Sequence, residues 1–208
     1  MKRIADSTVR RLSLYLRFLE DAESRGLGTI SSQELAKRGA TTSAQVRKDL
    51  SFFGSFGKRG LGYSVPELAG RLREILGLER TWNVVIVGAG KIGSALAQYR
   101  GFRQRGFTVV AVYDSDPAKI GTRWDDGMVI RDIASVERDA AREQADIAVL
   151  ATPADVAQRV AERIARAGIR AILNFAPVQL QLAGDITVKN VNMALELEGL
   201  SFALTNKD

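Results

Sequence analysis

A helical N-terminal module followed by a parallel α/β sheet is the fold predicted for this 208-residue chain, and three observations predict it. Hydrophobic spacing is helical up to about residue 77, and from Trp82 onward continuous apolar runs of strand length take over. A GxGxxG string, Gly88-Ala89-Gly90-Lys91-Ile92-Gly93, follows the first such run directly, and Asp114 ends the next one, 21 residues beyond Gly93. Charge divides in the same way. The first 80 residues hold 15 Lys and Arg against 9 Asp and Glu, and the rest 15 against 15, so the net +6 lies wholly in the helical part.

From Ser7 to about Gly26, the residues Val9, Leu12, Leu16 and Leu19 recur at helical spacing, and Gly26 is placed to end the helix. Ser31 and Glu34 have the spacing of a capping box, opening a short second helix that stops near Gly39. Thr42 and Gln45 repeat that signal and open a third helix with Val46, Leu50 and Phe53 along one face. Gly54 to Tyr63, with four glycines among bulky and basic residues, predicts a β-hairpin. Pro66 suits a first helical position, and Leu68, Leu72, Ile75 and Leu76 predict a fourth helix ended by Gly77. Three helices, a hairpin and a fourth helix suggest a winged helix-turn-helix.

Val84 to Val87 is a continuous apolar run ending in glycine, as expected of a strand buried on both faces. Similar runs lie at Thr108 to Tyr113, Ile147 to Ala151 and Ala171 to Phe175, with a strand-like Ile186 to Val191. Helical stretches alternate with them, roughly Ile92 to Gly101, Ile133 to Glu143 and Pro153 to Gly168, and a last helix starts near Met193. The expected division is residues 1–79 as a DNA-binding domain, 80–192 as a Rossmann-type domain and 193–208 as a C-terminal helix, with no long Gly/Ser linker between.

The chain contains no cysteine and no histidine, which removes disulfides, thiolate metal sites, the commonest general base and the commonest zinc ligand. No catalytic or metal-ligating residue is assigned. The charged opening MKRIADSTVRR runs into no apolar signal core, and no stretch has bilayer-crossing length, so a soluble, cytoplasmic protein is expected.

In the glycine string, Gly88 permits a tight turn, Gly90 lets a pyrophosphate approach the backbone, and Gly93 allows helix to pack on strand. Asp114 is suited to accept hydrogen bonds from adenosine ribose hydroxyls, which favours NAD(H) over its 2′-phosphorylated form, with Lys119 or Arg123 near enough to soften that preference. Further walls are expected from the strand ends, at Thr152 and Pro153 and at Asn174 and Phe175. An NAD-dependent oxidoreductase with an appended basic module is the alternative, and a CoA-binding or purely structural domain a third. Without histidine, and with little chain after the Rossmann pattern for a substrate domain, the redox cofactor points to sensing.

On the third helix, the inward turn of Val46, Leu50 and Phe53 leaves Ala44, Arg47, Lys48 and Ser51 facing out. Arg47 and Lys48 are the natural major-groove probes, flanked by Ser43 and Gln45, and Lys58, Arg59 and Gly60 at the hairpin tip are placed for phosphate or minor-groove contact. Lys37 to Arg59 holds six basic residues and one acid, Asp49, and the competing reading of such a run is a solvated charged face.

The run QVRKDLSFFGSFGKRGLGY, Gln45 to Tyr63, closely resembles the signature of the redox-sensing transcriptional repressor family called Rex. The likeness continues through GAGKIGSAL (Gly88 to Leu96), ILNFAP (Ile172 to Pro177) and MALELEGLSF (Met193 to Phe202). It implies a homodimer with exchanged C-terminal helices, binding of a palindromic operator, NADH and NAD⁺ as effectors, and release from DNA by NADH. It also implies that Arg17 and Tyr99 join an interdomain switch, together with position 192. There this chain has Asn192 where many members carry aspartate, so a charge is missing.

Overall fold

The computed structural model describes residues 4–54, 56–57, 61–124 and 127–206, and the chain divides into two compact units between Arg80 and Thr81. In the first unit the order is α1 (Asp6–Ser24), β1 (Thr29–Ile30), α2 (Ser32–Arg38), α3 (Ser43–Ser51), β2 (Tyr63–Ser64) and α4 (Val65–Ile75). Leu12, Leu16 and Leu19 are buried as expected, but the α1 stripe runs through Thr8 and Tyr15, and Val9 lies outside it, exposed. They meet Leu35, Val46, Leu50, Leu68 and Leu72 in one core. Gly26 and Gly77 take left-handed φ of 73° and 68°, which lets the chain turn sharply out of α1 and α4.

The capping box at Ser31 and Glu34 is complete, each side chain satisfying a free backbone amide at the start of α2. Thr42 makes only half of one. Its hydroxyl accepts from the Gln45 amide, but the Gln45 side chain turns away to donate to Asp49 Oδ1 at 2.8 Å. Much of the expected hairpin, Ser55 and Lys58 to Gly60, lies outside the described residues; among those described in 54–63, the only strand is the start of β2, which pairs antiparallel with β1, Ile30 opposite Tyr63. A two-residue strand carries no readable period, so β1 was hidden. Lys58, Arg59 and Gly60 lie outside the described residues. Helix, strand, two helices and a returning strand make a winged helix-turn-helix.

The second unit contains β3 (Trp82–Val87), α5 (Lys91–Ala97), α6 (Arg100–Gln104), β4 (Phe107–Asp114), β5 (Ile130–Asp132), α7 (Val136–Arg142), β6 (Ile147–Leu150), α8 (Ala154–Arg166), β7 (Ala171–Asn174), β8 (Thr187–Asn190) and α9 (Met193–Thr205). Its six strands are all parallel, in the order β5-β4-β3-β6-β7-β8, which is the doubly wound arrangement. The single helix expected over Ile92 to Gly101 is two, broken where Tyr99 takes extended backbone (φ −72°, ψ 98°) and caps α6. On the face that α5 and α6 cover, an apolar groove lined by Val84, Ile147, Val149, Ala171 and Leu173 stays open. No helix joins β7 to β8; the loop through Leu180 lies on the opposite face with α7 and α8, pinned by paired hydrogen bonds between Gln158 and Gln181.

Candidate functional site

The order in which successive strands are added reverses between β3 and β6, and a cleft of about 1170 Å³ opens there at the carboxyl ends of the strands. Gly88, Gly90, Lys91, Ile92, Asp114, Thr152 and Pro153, all expected from sequence, line it together. Gly88 has φ 108°, and a Cβ there would strike the Ala151 carbonyl oxygen; a Cβ on Gly93 would strike the carbonyl oxygen of Gly88. These two glycines hold the turn closed, whereas Gly90 faces open space. Ala89 stands behind the rim, its amide donating to Asp114 Oδ2 at 2.7 Å.

Asp114 is only 11% exposed. Its Oδ1 accepts from the Asp116 amide at 2.9 Å, and its Oδ2 also accepts from Lys119 Nζ at 3.1 Å. Burial pushes the carboxyl up, but the Asp116 amide, the Lys119 ammonium and the Ala89 amide outweigh it and hold Asp114 below the ordinary carboxylate range. It is therefore an ionised acceptor at neutral pH. Across the cleft, the shielded Thr152 hydroxyl makes no hydrogen bond among the described residues, an unmet demand that a polar ligand at the turn would satisfy.

Asn174 and Phe175 are not brought into the cleft. Fully buried Asn174 donates to the carbonyl of Val178 and to Asn190 Oδ1 and accepts from the Ala176 amide, so its side chain serves the β7–β8 loop and the end of β8. Phe175 packs on the opposite sheet face. In their place the first turns of α8 supply Val156, Arg159 and Val160, and Ile133 closes the far wall. The i, i+4 pair Val156 and Val160 was a readable apolar stripe, but nothing in sequence distinguished a stripe facing a ligand from one facing a core.

In the first unit, Ala44, Arg47, Lys48 and Ser51 form the exposed face of α3, with Ser43 at its first position and half-exposed. Arg47 donates to Ser32 Oγ at 3.1 Å, which orients its guanidinium across the start of α2. Asp49, counted in sequence among the surface charges, is 0% exposed. It accepts from Arg11 through Nε at 2.6 Å and Nη2 at 2.7 Å, from the Tyr15 hydroxyl at 3.0 Å and from Gln45. Burial opposes its charge, but the Arg11 fork, the Gln45 amide and the Tyr15 hydroxyl leave its pKa lowered. Burial and the carboxylate push the Tyr15 phenol up to about 12. The outward face of α3 is thus left without an acid, and α3 is tied to α1 from behind.

Of the expected switch residues, Arg17 is exposed on α1 and Tyr99 is 58% exposed, its ring edge-to-face with Phe102 at 5.2 Å. Asn192 caps α9, its Oδ1 accepting from the Ala194 amide at 3.0 Å, a task asparagine performs as well as aspartate. Among the described residues there is no cluster able to hold a metal ion, and no helix is long and apolar enough to cross a membrane.

A family model described as "CoA binding domain" matches residues 79–178, and one described as "Putative DNA-binding protein N-terminus" matches residues 3–51. The redox-sensing transcriptional repressor Rex of Carboxydothermus hydrogenoformans is 46% identical over 200 residues, 96% of each chain. That of Chloroflexus aggregans is 46% identical over 97% of this chain and 95% of its own. This chain belongs to the Rex family. A crystal structure of RSP in complex with β-NAD⁺ and operator DNA superposes with a TM-score of 0.92 at 38% identity, covering 98% of this chain and 94% of that one. The RSP complex with β-NADH gives 0.87 at 37% identity, covering 98% and 95%. The Rex relatives are named as repressors, and this chain is accordingly a transcriptional regulator rather than an enzyme.

Proposed function

We propose that this protein represses transcription by binding operator DNA through α3 and is released when NADH occupies the cleft beside Asp114. The observation that carries the reading is the buried, ionised Asp114 closing a turn that only glycine can make, in a chain whose net positive charge is confined to the other unit. Gly88 to Gly93 would seat the pyrophosphate at the α5 amides, Thr152 would meet a polar ligand atom, and Asp114 would take the ribose diol. Coenzyme A carries a phosphate on that ribose, which an ionised carboxylate opposes, so the family model's name does not displace the NAD(H) reading. Ser43, Arg47, Lys48 and Ser51 would face the major groove, with Lys58, Arg59 and Gly60 on phosphates or the minor groove. Gln45 joins them as an expected contact, with one of its amide protons already given to Asp49. Arg17, Tyr99 and Asn192 would convey nucleotide state.

For NADH to act as inducer it must bind the DNA-free form more tightly than the DNA-bound form, by about 1–3 kcal/mol for ordinary coupling. Gel shifts with operator DNA, repeated with NADH and with NAD⁺, test this: release by NADH alone is expected, and equal release by both rejects sensing. Arg47→Ala should weaken operator binding by about 1–3 kcal/mol and relax preference at one base pair. Retention of full affinity would move the reading face elsewhere.

A homodimer is proposed with residues 193–208 as its dimerisation element, residues 1–79 as reader and 80–192 as sensor, in the cytoplasm. Along α9, Met193, Leu195, Leu197, Leu200, Phe202 and Leu204 are all at least 59% exposed, and a groove of about 290 Å³, lined by Val84, Phe107, Ile147, Val149, Ala171 and Leu173, lies open on the α5 and α6 face of the sheet. A second copy supplies apolar cover of the same kind for both. Phe202→Glu should shift the chain toward monomer in sedimentation and weaken operator binding with it; an unchanged dimer would exclude α9 from the interface.

A further inference from the structure

An ionised carboxylate accepts roughly four hydrogen bonds, and on buried Asp49 all of these positions are filled. Oδ2 accepts from Arg11 Nε at 2.6 Å and the Tyr15 hydroxyl at 3.0 Å; Oδ1 accepts from Arg11 Nη2 at 2.7 Å and Gln45 Nε2 at 2.8 Å. Three of the four come from α1 and tie the two helices together. The fourth comes from α3 itself, one turn back, where Gln45 is half-buried beside exposed Ala44 and Lys48 at the rim of the outward face. An amide has a donor end and an acceptor end, and turning this one over would set Oε1 against the carboxylate. The nitrogen end is therefore held inward. Gln45 Oε1 accepts nothing among the described residues, and one N–H of Nε2 is left over.

We infer that Gln45 is a specificity-determining residue of the reader, held nitrogen-inward by Asp49 so that it offers the major groove one acceptor and one donor and selects adenine over guanine. Adenine presents the matching pair, the N6 amine and N7, whereas guanine presents two acceptors, O6 and N7. Asp49 is its positioning residue. Arg47, two positions on, has only donors and suits guanine, so one helix would ask for different purines at neighbouring places. The inference rests on the reading of α3 as the operator-binding helix given above.

The test starts from duplexes that the full-length chain selects from a random pool. Each adenine is exchanged in turn for unsubstituted purine, which lacks only the 6-amine, and binding of wild type, Gln45→Met and Asp49→Asn is measured at several salt concentrations, with thermal melts reporting folding. Wild type should lose roughly fivefold or more at one adenine position, the scale of base discrimination by such a pair. Gln45→Met should lose about as much on the unmodified duplex, be indifferent to the exchange at that position, and keep the wild-type salt slope, since no phosphate contact is removed. Asp49→Asn, whose side-chain amide can face Gln45 with either end, should shrink the loss at that adenine to about twofold. Equal sensitivity of wild type and Gln45→Met at every adenine, a shallower salt slope for Gln45→Met, or a Gln45→Met loss shared by random DNA overturns the inference, whether or not Asp49→Asn folds, and leaves operator binding by α3 standing. A wild-type chain that enriches no sequence overturns that reading instead.

Discussion

Asp49→Ala should destabilise the N-terminal unit by about 3–5 kcal/mol, because the Arg11 guanidinium would lose its bidentate partner and Tyr15 and Gln45 would lose an acceptor behind α3. Arg11→Ala should cost a similar amount, leaving a buried carboxylate without its counter-charge. The double replacement Arg11→Met with Asp49→Leu should cost far less than the two single effects added, since an apolar pair asks for no partner. Hydrogen exchange at the α1 and α3 amides of the full chain reads the change locally, and a loss below about 1 kcal/mol for Asp49→Ala would show the network to be ornamental. The pH dependence has a definite sign. The native pKa of Asp49 is lowered, so its contribution is complete above the ordinary value of 3.8 and is lost as pH falls from there through the native value. The Tyr15 pKa is raised, so its share is present below 10.0 and disappears as pH climbs through about 12.

Gly88→Ala should reduce NADH affinity at least a hundredfold, about 2.7 kcal/mol. The methyl group meets the Ala151 carbonyl oxygen, and the φ of 108° is one that L residues rarely adopt, so the turn must open and carry the α5 amides away from the proposed pyrophosphate seat. Operator binding without nucleotide should remain, because the glycine lies in the other compact unit, and the variant should become a repressor that NADH does not release. Asp114→Ala should weaken NADH less, by roughly tenfold to a hundredfold, since it removes the proposed ribose acceptor and the side-chain partner of the Ala89 and Asp116 amides but puts no new atom into the turn. Calorimetric titration distinguishes the two; affinity within threefold of wild type for Gly88→Ala would place the nucleotide elsewhere.

Features set by strong local chemistry were legible. The capping box at Ser31, the glycines at 26 and 77, and the apolar runs of β3, β4, β6 and β7 each have one dominant physical reading, and the structure has them where that reading puts them. The glycine turn and Asp114 were legible because helix, strand and acid must stand in one register for the pattern to arise. What escaped depended on partners distant in sequence. The two residues of β1 acquire strand character only from Tyr63 and Ser64, more than thirty positions on. Asp49 looks like a surface charge until Arg11, 38 residues away, is folded against it. Asn174 sits at a strand end, where ligands gather, yet its amide is consumed by its own loop and the end of β8. The break at Tyr99 leaves no Pro in the sequence to announce it.

The open apolar groove on the α5 and α6 face of the sheet has a thermodynamic corollary. A solitary subunit keeps oily area wetted on both the sheet and α9, so in the proposed dimer folding and pairing would draw on the same reservoir of hydration free energy. Melting temperature should therefore climb with protein concentration, and dilution would itself loosen the regulator before any nucleotide arrives.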